Sequence, residues 1–188
     1  STGGGDWVSS NGSARKVDGG YVINCRKFFC SGAPIGNLAV MSCAYDDGVQ
    51  ERVLHFSTPM TAEGIEIIHD WNAMGMRGTG SHTIDFKDVF VPDDKITLTR
   101  ERGKWHPVWN VVSTIAFPVF ISPYAGIVEA IANKTVSLLR KKPACETYCV
   151  STLGEMHNHA KIVKMALERL INNANNLNIK PSSDSAAV

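Results

Sequence analysis

The chain has 188 residues, 44% of them hydrophobic and 20% charged, with a net charge of +1 at neutral pH. That length allows one or two domains with a sizeable core, and so balanced a charge gives no electrostatic reason to expect nucleic acid or an acidic membrane surface as a partner. No run of eighteen apolar residues predicts a membrane span, and residues 1–7 lack the basic region and apolar core of a signal peptide.

Residues 1–11 are rich in glycine and serine and begin without a methionine, as a piece of something longer would. From Ser13 the pattern is β. Ala14, Val17, Tyr21 and Ile23 surround Asp18-Gly19-Gly20, a hairpin turn whose glycines supply positive φ. Residues 38–45 form an apolar run suited to a buried strand, and Val53, Phe56 and the run from Ile65 to Ile68 suggest two more, separated by Pro59 and Gly64. In residues 70–93, Trp71, Met74 and Met76 alternate with Gly75, Gly78 and Gly80, and Thr79 and Ser81 place hydroxyls on a tight connection. Ile84 and Phe86 then alternate with Asp85 and Lys87 until Pro92 stops the strand. A glycine-lined turn rich in donors feeds a strand there, a place able to hold the edge of a ligand. Strands every ten residues or so, with turn signals between, predict a small antiparallel barrel or sandwich.

Around Lys104 the pattern changes to helical. Ser122-Pro123 reads as a helix start, and Pro118 as a kink or a separator before it. Ile127, Ile131, Thr135 and Leu138 line one face with Val128, Ala132, Val136 and Leu139 beside it, and Arg140 begins a basic run that complements the helix C-terminus before Pro143. Thr152 and Glu155 have capping-box spacing and predict the start of a second helix. Its stripe is Leu153, Met156, Ala160, Val163, Leu167, Leu170 and Ala174. Two helices cannot cover both stripes, so further helices or a partner chain are expected. Residues 184–188 resemble the first turn of a third helix. Five cysteines at irregular spacing make no disulfide framework, although Cys145 and Cys149 could share a helix face. Free thiols in a reducing, cytoplasmic compartment are expected. His157 and His159 lie two apart on a helix and do not face each other, so no metal site is expected.

Two blocks carry a family resemblance. MGMRGTGSHTIDFKDVFVP resembles the segment that closes the middle β-domain of acyl-CoA dehydrogenase-type flavoproteins, and DGGYVINCRKFFCSGAP resembles an earlier block of the same domain. The resemblance implies a multi-domain α and β fold, with an antiparallel β-barrel over residues 1–104 and part of an up-and-down helical bundle over residues 105–188. It implies FAD as cofactor, with FMN or reduced flavin from a reductase as the alternative. A small-molecule substrate, with an acyl-CoA as the candidate, and a homo-oligomer (dimer or tetramer) are implied with it.

Residue by residue, Phe29, Cys30 and Ser31 stand where the family presents an aromatic ring and a hydroxyl to the flavin. A flat π-face packs on the ring, and a hydroxyl bonds near its reactive nitrogen. Phe29 as core and Ser31 as a turn residue is the competing reading. Ser81 and His82 stand where relatives approach substrate or flavin; a structural, hydrogen-bonded histidine is the competing reading for His82. Gly5 occupies a hydroxyl position of the thioester-side loop, a departure from the family. Arg140 stands where an arginine reaches the FAD pyrophosphate of a neighbouring subunit, although RKKPA lacks the threonine, phenylalanine and glycine that usually follow; a basic helix terminus explains it equally. Trp105, His106 and Trp109 are expected to staple helix to barrel. The leading expectation is CH–CH oxidation of an acyl thioester. Its alternatives are two-component flavin-dependent monooxygenation, as in dibenzothiophene-monooxygenase-like relatives, and a non-catalytic assembly module. The segment in which many relatives carry a carboxylate base lies outside the chain, so no catalytic base is assigned.

Overall fold

Among the described residues, period-two alternation builds seven strands in one compact unit, Ser1–His106, and helical periodicity builds two long helices in a second, Pro107–Val188. The computed structural model describes residues 6–141, 147–174 and 177. Gly5, Cys145 and the predicted third helix at residues 184–188 lie outside the described residues.

The strands are β1 (Ser13–Val17), β2 (Gly20–Cys30), β3 (Leu38–Asp46), β4 (Glu51–Pro59), β5 (Ile65–Ile68), β6 (His82–Pro92) and β7 (Ile96–Glu101). The last was not predicted, although ITLTRE alternates. In the β1–β2 hairpin Gly19 supplies the positive φ of 73°. Gly20 has another role: a Cβ there would come within 2.4 Å of Val91 O, so it permits close approach to β6.

The sheet order is β5-β6-β2-β1-β3-β4-β7. Two expectations are corrected here. Among the described residues the sheet is open, because β5 pairs only with β6 and β7 only with β4, which leaves two unpaired edges where a barrel has none. Nor is it wholly antiparallel, since β1 and β3 join in parallel through the single pair Ala14 and Tyr45. The sheet nevertheless coils around one core. Phe56 on β4 and Phe86 on β6, with three strands between them in the sheet, meet edge-to-face at 6.1 Å. Ile23, Met41, Cys43, Val89 and Val91 pack in the same cluster.

Two buried cations sew the entering segment across this sheet. Lys27 is fully buried, and its Nζ donates to Ser10 Oγ and Asn11 O, each at 3.1 Å, and to Asn11 Oδ1. Three hydrogens thus find three acceptors, while burial pushes the lysine pKa down. Arg100 on β7 donates to Val8 O at 2.6 Å and Trp7 O at 3.0 Å, and through Nε to His55 Nε2 at 3.0 Å.

In the second unit α1 (Val108–Leu139) packs on α2 (Thr147–Ala174). The predicted start at Ser122-Pro123 is corrected: both Pro118 and Pro123 lie inside one continuous helix. Pro123 has no N–H to offer Val119 O four residues back. The Ser122 hydroxyl donates to that carbonyl at 3.0 Å instead, so the serine repairs the ladder rather than capping a helix. The Thr152 start is corrected too, since α2 is already formed at Thr147. The α2 stripe emerges half-buried at all seven predicted positions, and on α1 Ile121, Ala125, Val128, Val136 and Leu139 are half-buried and Ala132 is buried. Ile127, Ile131 and Leu138, on the neighbouring α1 face, are exposed. By length and composition alone α1 could cross a membrane, although its apolar residues form no unbroken run of eighteen. A helix apolar all round is either a protein core helix or a membrane span.

Candidate functional site

The end of β2 and the turn before β6 converge at one corner of the sheet, where Cys30 pairs with His82. Between Lys27 and Cys30 the register slips by one residue, a bulge that adds a residue to β2. Phe29 occupies it with φ 56°, a left-handed conformation unusual for a bulky residue, and its ring is 66% exposed. Such strain persists only where surrounding structure imposes it. Trp71 supports the ring edge-on at 6.3 Å. Cys30 turns the other way, buried, with Sγ donating to Lys27 O at 3.3 Å, so its thiol does not share the face that Phe29 presents.

Ser31 is exposed, but its hydroxyl is tied inward. Its Oγ lies 2.9 Å from the buried Ser81 Oγ, which lies 2.7 Å from Thr79 Oγ1, which donates to Met76 O at 2.9 Å. A backbone bond from Gly32 N to Thr79 O at 2.8 Å clamps the two loops together. The connection turns through left-handed Met76 and Gly80; a Cβ on Gly80 would meet Pro34 Cδ at 2.9 Å, whereas Gly75 and Gly78 face open space.

His82 is half-buried. Its Nδ1 accepts the Trp71 backbone N–H at 3.0 Å, which leaves Nε2 to carry the ring hydrogen. Asp70 Oδ1 is 3.8 Å from the same nitrogen, too far to compete with that bond. The Asp70 carboxylate accepts from Thr83 Oγ1 at 2.6 Å and Thr83 N at 2.9 Å, and these bonds lower its pKa. His82 also meets the His69 ring edge-on at 4.8 Å. The structural role of His82, as the anchor of the Trp71 backbone, is therefore visible directly.

The structure thus brings Phe29, Ser31, Ser81 and His82 together. Arg140 belongs to the helical unit, where its N–H closes α1 on Val136 O at 3.0 Å and its side chain is exposed. Gly5 lies outside the described residues. Trp71, Asp70 and Lys27 support the corner without having been singled out as site residues; their bonds span loops and strands and leave no periodic trace. In the helical unit, a groove of about 490 Å³ flanks the seam, lined by Ala125, Ala132, Ala160 and Leu167 among others.

Residues 1–89 match the acyl-CoA dehydrogenase middle-domain family. That match takes in 89 of the 188 residues, just under half of the chain. The chain is 34% identical to a dibenzothiophene monooxygenase of Rhodococcus qingshengii over 134 residues, covering 65% of this chain and 30% of the relative. It is 26% identical to the amino sugar nitrososynthase DnmZ of Streptomyces peucetius, covering 92% of this chain and 43% of that protein. The structure of KijD3 in complex with FMN and a dTDP-linked amino keto sugar superposes with a TM-score of 0.73 at 20% identity, covering 94% of this chain and 45% of that one. The chain therefore spans less than half the length of these relatives. That likeness extends past the middle domain into the helices, and it accounts for α1 as a helix of the acyl-CoA dehydrogenase fold.

Proposed function

We propose that the chain is part of a flavin-dependent monooxygenase of the acyl-CoA dehydrogenase fold, which takes reduced flavin and oxygen to a small heteroatom-bearing substrate. The observation that carries this reading is the 34% identity to a dibenzothiophene monooxygenase, on a chain whose Phe29–Ser31 corner suits a flat ring. The nitrososynthase likeness points the same way: dibenzothiophene carries sulfur and an amino sugar carries nitrogen. The expectation of acyl-thioester oxidation is less well supported than its monooxygenase alternative.

The residues present fit a flavin. Phe29 offers an exposed aromatic face, Ser31 a hydroxyl beside it, and Gly75 and Gly78 leave open space along the same turn. FMN or FAD, when bound, would supply the electrons that activate oxygen. Phe29 and Trp71 would form one wall, Ser31 would orient the ring edge through a hydrogen bond, and His82 would hold the Trp71 backbone in place. Bound cofactors need most of their surface enclosed, so the remaining walls come from other segments or a second copy of the chain. The exposed α1 residues Ile127, Ile131 and Leu138 supply apolar surface for such an oligomer.

The test uses the intact protein with a flavin reductase, a nicotinamide donor and oxygen, and aromatic sulfur compounds and amino sugars as substrates. Oxygenated product that requires both reductase and oxygen is expected. Anaerobic bleaching of oxidised flavin by an acyl-CoA, with no oxygen-dependent product, would return the assignment to dehydrogenation. Ser31→Ala should slow turnover by ~10²-fold, as loss of an oriented hydrogen bond does, with stability changed by less than ~0.5 kcal/mol.

A further inference from the structure

The three hydroxyls beneath the Phe29 platform can point their hydrogens in only one direction. Each has a single hydrogen to donate. Thr79 Oγ1 sits 2.9 Å from Met76 O, a carbonyl that can only accept, so the threonine hydrogen is committed there. The 2.7 Å contact between Thr79 and Ser81 then requires Ser81 to donate to Thr79, and the 2.9 Å contact above it requires Ser31 to donate to Ser81. Reversing the chain would press the threonine lone pairs against a carbonyl oxygen. Ser31 Oγ is thereby left with lone pairs alone on its exposed side, an acceptor whose own hydrogen is spent. A hydroxyl at the edge of a pocket ordinarily donates or accepts as the ligand requires; this one is polarised by two residues behind it.

An oxidised isoalloxazine has one bare nitrogen, N5, on its central ring, and the reduced ring carries a hydrogen there. We infer that the Ser31–Ser81–Thr79 chain selects reduced over oxidised flavin, with Ser81 and Thr79 as positioning residues that act through Ser31. The inference rests on the flavin reading above, which takes the flavin reduced, and adds the residues that set that preference. It also gives a physical reason for the chain to receive flavin already reduced: an oxidised ring would set its nitrogen lone pair against that of Ser31. One hydrogen bond gained in one redox state and lost in the other is worth about tenfold in relative affinity.

The experiment measures dissociation constants of FMN and FAD, oxidised and anaerobically dithionite-reduced, on the intact protein and on Ser81→Ala, Thr79→Val and Ser81→Thr. The parent protein is expected to hold the reduced form about tenfold more tightly. Ser81→Ala and Thr79→Val free the Ser31 hydrogen to donate, so their ratio falls towards one; Ser81→Thr keeps the hydroxyl and the preference. A packing defect would weaken both redox states together and leave the ratio intact. Equal affinities in the parent, or a ratio unmoved by both chain-breaking variants, overturns the inference while flavin binding stands. Failure of the parent to bind either redox state overturns it together with the flavin reading.

Discussion

Replacing Phe29 separates strain from contact at the bulge. The residue sits at φ 56°, and a side chain with a Cβ in that region costs about 1–2 kcal/mol relative to right-handed backbone. Alanine keeps the Cβ and the strain while deleting the ring. Glycine deletes the ring and the strain together. Elsewhere in a strand glycine is less stable than alanine by about 0.5–1 kcal/mol, because it loses more backbone freedom on folding. At position 29 the order should invert, with Phe29→Gly more stable than Phe29→Ala by about 0.5–1 kcal/mol after that entropy is subtracted. The ring is 66% exposed, and the edge contact with Trp71 is lost in both variants, so neither term enters the difference. Urea unfolding of both variants of the intact protein, followed by circular dichroism, reads the difference. Alanine equal to or more stable than glycine would show that the positive φ carries no strain, and would remove the argument that the fold forces this ring outward.

Four further outcomes are expected. Gly64→Ala should destabilise by more than ~3 kcal/mol in thermal or urea unfolding, since its Cβ would lie 2.1 Å from Lys87 O at a φ of 86°. Gly78→Ala, which meets nothing within 4 Å, should by contrast shift stability by less than ~0.5 kcal/mol. Burial, then the Arg100 charge, holds the His55 pKa at about 4 against an ordinary 6.5, so the unfolded chain binds that proton first and stability falls as pH drops from 6.5 towards 4. His55→Gln should remove up to about one proton of uptake on unfolding in that window, and an unchanged slope of stability against pH would refute the assignment. Pro123→Ala should stabilise the helical unit by about 1–3 kcal/mol, because it restores an N–H for Val119 O; no gain in thermal unfolding would mean that Ser122 already compensates in full.

Much of the fold was legible because its signals are local. The Asp18-Gly19 hairpin, the strands around Val53 and Ile84 and the α2 stripe each follow from period and turn chemistry within a dozen residues. The helix starts at Ser122 and Thr152 were misread because the same local signature serves two purposes. A serine before a proline caps a helix when the chain arrives extended, and mends one when the chain arrives helical. Strand β7 was missed because it is an edge, six residues long, and takes its register from β4 rather than from a turn of its own.

By itself the sequence determined which residue types reach the corner: an aromatic, a hydroxyl beside it, and a glycine turn carrying two more hydroxyls. Only the tertiary structure decided what those groups can do. The bulge that throws Phe29 outward and Cys30 inward depends on pairing between β2 and β6, strands more than fifty positions apart at their closest register there. Whether the sheet closes depends on its two edge strands finding each other, which no pattern within either strand encodes. The direction of the hydrogens in the Ser31–Ser81–Thr79 chain depends on a carbonyl at its far end, at Met76. Periodicity records which side of an element a residue faces; it carries no information about what waits on the other side.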